Sequence, residues 1–146
     1  MARAFSIEDG NLQTATLRSS RERTYRDIDL SFAKRPSGDI FKKSEAAAVR
    51  QAVKNLLLTN RLEKPFTPNF GGDLNRFLFS LTEDFDETEV KELIGNAISN
   101  YEPRALIRDI FVDLDEDNYE MDVTVQFQIS TTLEEAEVQV SLTRIR

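Results

Sequence analysis

Asn100–Asp109 reads NYEPRALIRD, and the period of the apolar residues changes across it. Before it, Val90, Leu93, Ile94, Ala97 and Tyr101 recur at helical spacing. After it, Ile110, Val112 and Leu114 alternate with acids, which is the period of a half-buried strand. Glu102 precedes a proline and is pushed out of the α region, so the helix ends there. Pro103 lacks an N–H and fixes its own φ. The stretch therefore reads as a stiff joint between a helix and a sheet. Glu102 and Arg104, two apart in an extended segment, point the same way. Either they pair with each other and trim the helix end, or both face a partner, to which Arg104 offers a planar fork.

Downstream, Met121, Val123, Val125, Phe127 and Ile129 alternate with Asp122, Thr124, Gln126 and Gln128. After STTLEE, Val138, Val140 and Leu142 alternate with Gln139, Ser141 and Thr143. Three consecutive strands with one apolar face each read as an antiparallel meander. Asp113–Asp122 holds six acids in ten residues, a solvated hairpin tip or a lure for a basic partner. From Val138 to Thr143 there is no charge and no proline. Exposed edges usually carry such protection, so this strand reads as one built to be extended. An N-terminal strand lying over it would leave the same pattern.

Upstream, Ile28, Leu30 and Phe32 alternate with Asp27, Asp29 and Ser31 in YRDIDLSF, which predicts a half-buried strand. Ser44 is the expected N-cap of a helix with Glu45 in its first turn. Its stripe is Ala46, Val49, Val53, Leu56 and Leu57. Pro65, Pro68 and the Gly71-Gly72 pair end that pattern. A shorter helix follows with Leu74, Phe77, Leu78 and Leu81 on one face. Asp86 and Glu89 have capping-box spacing for the helix that enters the joint. The expected architecture is α+β. One N-terminal strand and the C-terminal meander form a mixed or antiparallel sheet, with about three helices on one face. Residues 1–23 read as an arm with little structure of its own, and 24–146 as a single domain.

The chain of 146 residues has no Cys and no His. Disulfides, thiolate or imidazole metal sites, and triads using either residue are excluded. No apolar run approaches the roughly 20 residues of a membrane span. MARAFSIEDGNLQ has no apolar core of a secretory signal. Net charge is -7, unevenly spread. Residues 1–35 carry seven Lys/Arg against five Asp/Glu, the rest twelve against twenty-one. An acidic body argues against a broad nucleic-acid footprint. The basic run Arg18–Arg26 reads as a solvated segment, or as a contact for a phosphate or an acidic partner.

NYEPR, together with the upstream loop and helix KPFTPNFGGDLNRFLFS (Lys64–Ser80), resembles the small baseplate wedge protein of contractile-tailed bacteriophages. That family is also called the sheath initiator and includes a baseplate subunit of type VI secretion systems. The resemblance spans Tyr25–Arg146, with its motif core from Leu62 to Ile107. It implies a structural part of the virion tail baseplate, assembled in the host bacterial cytoplasm, with six copies in a ring. Neighbouring wedge proteins, the first ring of sheath subunits and the tail tube are the implied partners. It implies that Glu102, Pro103 and Arg104 contact the wedge. It also implies that the first sheath ring adds strands to the sheet; the residues themselves point to the strand of Val138, Val140 and Leu142 as that edge. Pro65, Phe66, Pro68, Phe70 and Gly71 match the family's loop and are given a structural role, shaping the loop that braces the joint. On this reading Arg104→Ala spares the isolated fold, and trimming the last strand spares entry into the baseplate.

Two other classes compete. Family members have been labelled lysozyme-like, and glycoside hydrolysis needs two carboxylates about 5 to 9.5 Å apart. With 26 acids in the chain no pair stands out, and Trp is absent. Glu102 beside Arg104 suits an acceptor and spoils a general acid. No catalytic residue is assigned and no cofactor is expected. The other class is a regulatory adaptor on the same fold. DLDEDNYE lacks the Gly and the spacing of a calcium loop.

Overall fold

The computed structural model describes residues 25–78, 86–115 and 119–144. Two strands open the described chain, β1 (Arg26–Ile28) and β2 (Lys42–Ser44). Helices α1 (Ala46–Leu58), α2 (Asn75–Leu78) and α3 (Glu87–Tyr101) follow. The C-terminal third is β3 (Ala105–Asp115), β4 (Glu120–Ile129) and β5 (Glu135–Thr143). The chain is α+β, as its two hydrophobic periods imply.

The meander is antiparallel in the order β3-β4-β5. Central β4 buries Met121, Val123, Val125, Phe127 and Ile129, every one of its predicted inward residues. On one face α1 packs over β5 and α3 over β3. Val49, Val53, Leu56 and Leu57 of α1 meet Val90, Ile94, Ala97 and Ile98 of α3 in one core with the sheet. The other face is polar and open, with Gln126, Gln139 and the exposed Phe111 among its residues. In β3 the register slips between Ile107 and Asp109, at Arg108. Ala105 and Ile107 face inward before the slip, and Ile110, Val112 and Leu114 after it. A bulge of one residue thus keeps both halves of β3 facing the core.

The N-terminal strand differs from its expectation. It stops at Ile28 and pairs only with β2, in a separate two-stranded sheet. Ile28, Leu30 and Phe32 are exposed. The cause is Asp29, whose carboxylate accepts the Ser31 N–H at 3.0 Å while its carbonyl accepts the Phe32 N–H at 3.1 Å. A local Asx turn outcompetes the ladder. Gln51 of α1 holds this segment instead. Its Nε2 donates to the Ile28 carbonyl at 2.7 Å, and it is buried.

Ser44 does not cap α1, because its backbone is committed to β2, opposite Arg26. Glu45 takes the cap position at φ 49 with no side-chain cap bond. Asp86 does cap α3, accepting the Thr88 N–H at 2.8 Å. Glu89 turns away to Arg76 at 2.5 Å, so the second half of the expected capping box gives way to a link between α2 and α3. Leu81 and residues 1–24 lie outside the described residues.

Candidate partner-binding site

The joint is closed by its own charges. Both carboxylate oxygens of Glu102 accept from Arg104, Oε1 from Nε and Oε2 from Nη2. Glu102 is only 6% exposed, whereas the Arg104 side chain keeps 30% of its surface and Pro103 is exposed. The guanidinium's pKa is pushed above its ordinary value by the hydrogen bonds to Glu102, with burial acting against them. A planar fork on a carboxylate is among the stronger charge-assisted geometries. The backbone is equally engaged. The Glu102 N–H donates to the Ile98 carbonyl at 2.8 Å, ending α3, and the Arg104 carbonyl accepts the Ser130 N–H at 2.9 Å. The guanidinium also lies 4.8 Å from the Tyr25 ring centre.

The loop before α2 reaches the joint through a ring contact. Phe70 meets Tyr101 edge to face, with ring centres 5.2 Å apart. Lys64 Nζ sits 3.9 Å above the other end of this stack, over Phe70. Gly71 has φ 124, and a Cβ there would lie 2.3 Å from the Thr59 carbonyl oxygen, so only glycine fits. Pro68 closes the loop by accepting the Leu62 N–H at 2.9 Å. Pro65 sits exposed at the loop's outer turn. Phe66 stands fully in solvent at φ 67. Its side chain therefore braces nothing among the described residues, unlike Phe70.

At the other edge of the sheet, β5 is a strand of nine residues paired with β4 alone among the described residues. The N-terminal strand does not cover it. Val138, Val140 and Leu142 turn their side chains into the core. What β5 offers outward is its main chain and the side chains of Glu137, Gln139, Ser141 and Thr143. Trimming β5 would thus open the core, contrary to the expectation from sequence. The opposite edge, β3, carries Arg108, Asp109, Asp113 and Asp115 and the bulge, all devices that discourage pairing.

Residues 43–138 match the family of the baseplate wedge protein gp25. The chain belongs to that family. It is 27% identical over 105 residues to the baseplate wedge protein gp25 of Enterobacteria phage T4, covering 72% of this chain and 80% of that one. Two solved structures share the fold. One is a chain of the anti-feeding prophage baseplate, with TM-score 0.58 and 18% identity, covering 82% of this chain and 86% of that one. The other is a chain from Geobacter sulfurreducens provisionally named a tail lysozyme, with TM-score 0.56 and 14% identity, covering 67% and 89%. The gp25 family match spans α1, the loop, the joint and most of the meander. It stops short of β1 and of the last residues of β5.

Several contacts that hold the site went unread in the sequence of this gp25 relative. Tyr25 appeared only as the start of a strand, and nothing local marks its role beneath Arg104. Gln51 broke no pattern visible at helical spacing. Asn60 and Glu63 form a bidentate lock, with the Asn60 N–H and Nδ2 each 2.8 Å from a Glu63 oxygen. The three-residue spacing after a helix end was the available signal.

Proposed function

We propose that this chain is a structural part of a contractile-tail baseplate that docks on the wedge through its joint and seeds the sheath through the edge of β5. Membership of the baseplate wedge family supports the setting. The observation that carries the mechanism is the β5 edge, free among the described residues and unprotected by charge or proline from Val138 to Thr143. A sheath strand would add there through backbone hydrogen bonds, with alternating side chains setting register. Val138, Val140 and Leu142 take part through their main chain. The joint keeps donors for the wedge, since only two of the five guanidinium N–H groups are engaged by Glu102. Partners on this reading are neighbouring wedge proteins, the first sheath ring and the adjoining tail tube, in six copies around it. The reading invokes no cofactor, nucleic acid or membrane.

The test is co-assembly with the wedge and sheath proteins encoded beside this gene, each variant checked by thermal melt. Glu102→Gln with Arg104→Gln removes both charges together and is expected to lose wedge association at a nearly unchanged melt. Gln139→Lys with Ser141→Lys adds edge charges outside the core and is expected to keep wedge association and stop sheath growth. Normal sheath growth from that second variant would sink the edge reading.

The name of the Geobacter relative raises peptidoglycan cleavage as a second reading. Against it, both oxygens of Glu102, the buried carboxylate at the joint, are held by Arg104. Turnover of purified peptidoglycan by the wild type, lost in Glu102→Gln, would overturn the structural reading.

A further inference from the structure

A groove follows β5, whose edge is free among the described residues. Of three adjoining cavities of about 470, 320 and 540 Å³, the last two run along β5, and the first also reaches Gln126 and Phe127 of β4 and Arg108 of β3. The first two share Arg50 and Glu137, and the last two share Lys54 and Gln139. One wall is β5 itself. The other is an exposed stripe of α1, Ala47, Arg50, Lys54 and Leu58, at helical spacing.

The charge of the helical wall is one-sided. Lys43, Arg50 and Lys54 all face the groove. Lys43 is paired with Asp29 at 3.4 Å. Arg50 reaches Glu134 only at 3.9 Å, and both side chains are largely exposed. Lys54 has no ion pair among the described residues. On the strand side, Glu137 accepts from Gln126 at 3.2 Å across the open sheet face. Asp122 lines only the far end, next to Lys54 and Leu58. On the helical wall the positive charge is therefore centred on Arg50 and Lys54, while the strand side carries Glu135 and Glu137 near its start.

The spacing of that charge matches a strand. Four residues of helix rise about 6 Å. Side chains two apart on one face of a strand lie about 6.7 Å apart. A strand laid along β5 would bring every second side chain opposite this stripe, one near Arg50 and the next near Lys54.

We propose that the segment adding to β5 carries carboxylates at two alternate positions, i and i+2, on the side facing α1. This rests on the strand-addition reading above and names the chemistry of its partner. The ion pairs set register, because a slip by one residue turns both carboxylates to the open face and away from Arg50 and Lys54. The backbone ladder supplies adhesion.

The test uses the full chain and three synthetic peptides with Thr at one set of alternating positions. The other set holds Glu, Lys or Ser. Affinity is read by fluorescence anisotropy, and location by hydrogen exchange of the β5 amides. The Glu peptide is expected to bind about tenfold more tightly than the Lys peptide at low salt, a gap of about 1.4 kcal/mol. High salt should narrow that gap. Arg50→Glu with Lys54→Glu, both on the exposed helix face, should invert the preference. Equal protection of β5 by all three peptides overturns the charge proposal and leaves strand addition standing. No protection by any of them overturns both. Tight binding of the Glu peptide without β5 protection places it elsewhere and overturns the proposal.

Discussion

The Arg104 guanidinium sits 4.8 Å from the centre of the Tyr25 ring while its fork closes on Glu102. One side chain thus ties the start of the described chain to the end of α3 and the start of β3. Tyr25 is held there by its own carbonyl, which accepts the Glu45 N–H at 2.7 Å. The consequence for Arg104→Ala follows from burial. It would leave the Glu102 carboxylate, 8% exposed at its side chain, without a partner. Breaking a fully buried pair costs about 3–5 kcal/mol. The partial exposure of Arg104 reduces this to about 1–3 kcal/mol. Arg104→Ala should therefore lower the melting temperature. The double variant Glu102→Gln with Arg104→Gln should recover most of the loss, since no charge is left stranded. The milder expectation from sequence assumed an exposed pair.

Gly71 and Gly95 should respond to alanine in opposite directions. Gly71→Ala drives a Cβ to 2.3 Å from the Thr59 carbonyl oxygen at a φ of 124. The loop must move, and a loss of roughly 2–4 kcal/mol is expected from strain and the displaced backbone. Gly95 lies inside α3, where a Cβ meets nothing within 4 Å. Gly95→Ala should stabilise by about 0.5–1 kcal/mol through helix propensity. Urea denaturation of the two variants checks both signs at once.

The Phe70–Tyr101 contact is what couples the loop to the joint. A double-mutant cycle with Phe70→Leu and Tyr101→Leu should give a coupling of about 0.5–1.5 kcal/mol, the usual worth of an edge-to-face pair. Phe66→Ala should change stability by under about 0.5 kcal/mol, because that ring is fully exposed. If Phe66→Ala instead weakens wedge or sheath association at an unchanged melt, its role is in binding.

How much was legible depended on whether one residue's role could be decided by its sequence neighbours. The strand period of β4 and the helical stripes of α1 and α3 were readable, because burial repeats along one element. The stiff joint was readable because Pro103 constrains Glu102 directly. Which way the Glu102–Arg104 pair turned was not. That depends on Tyr25, far away in sequence, and on the pocket that buries the carboxylate. β1 was misread because alternation predicts a strand only where a partner strand exists. Asp29 offered the backbone a nearer acceptor. Val138, Val140 and Leu142 were rightly read as one face, but that face turns into the core.

Glu63 should make the loop after α1 sensitive to acid. Its pKa lies below the ordinary glutamate value of 4.5, first because it accepts the Asn60 backbone N–H and then the Asn60 side-chain amide. A carboxyl depressed in the folded state stabilises it above the unfolded pKa. That contribution is lost as pH falls through the folded pKa, in the range below 4.5. The protection of the Asn60 amide against hydrogen exchange, taken relative to the intrinsic rate at each pH, should therefore fall on acidification through that range. In Glu63→Gln that fall should vanish. Asp29 shifts in the same direction, through the Ser31 N–H, so the turn after β1 should loosen over a similar acid range.

The bulge at Arg108 allows a sharper test of how the two sheet edges differ. With Arg108 removed, Ile107 would precede Asp109 directly, and their partners Phe127 and Gln126 are already adjacent in β4. The ladder would run unbroken, with Ala105, Ile107 and Ile110 still facing the core. Deletion of Arg108 should therefore be tolerated, with a melting temperature within a few degrees of the wild type. A one-residue deletion at Phe111, inside the regular part of β3, should instead turn one end of the strand inside out and unfold the protein. What the Arg108 deletion loses is protection, since a straighter β3 with one fewer charge is a better template for pairing. Light scattering should then detect self-association that rises with concentration and exceeds that of the wild type. A monomeric, well-folded deletion variant would mean that Asp109, Asp113 and Asp115 guard this edge by charge alone.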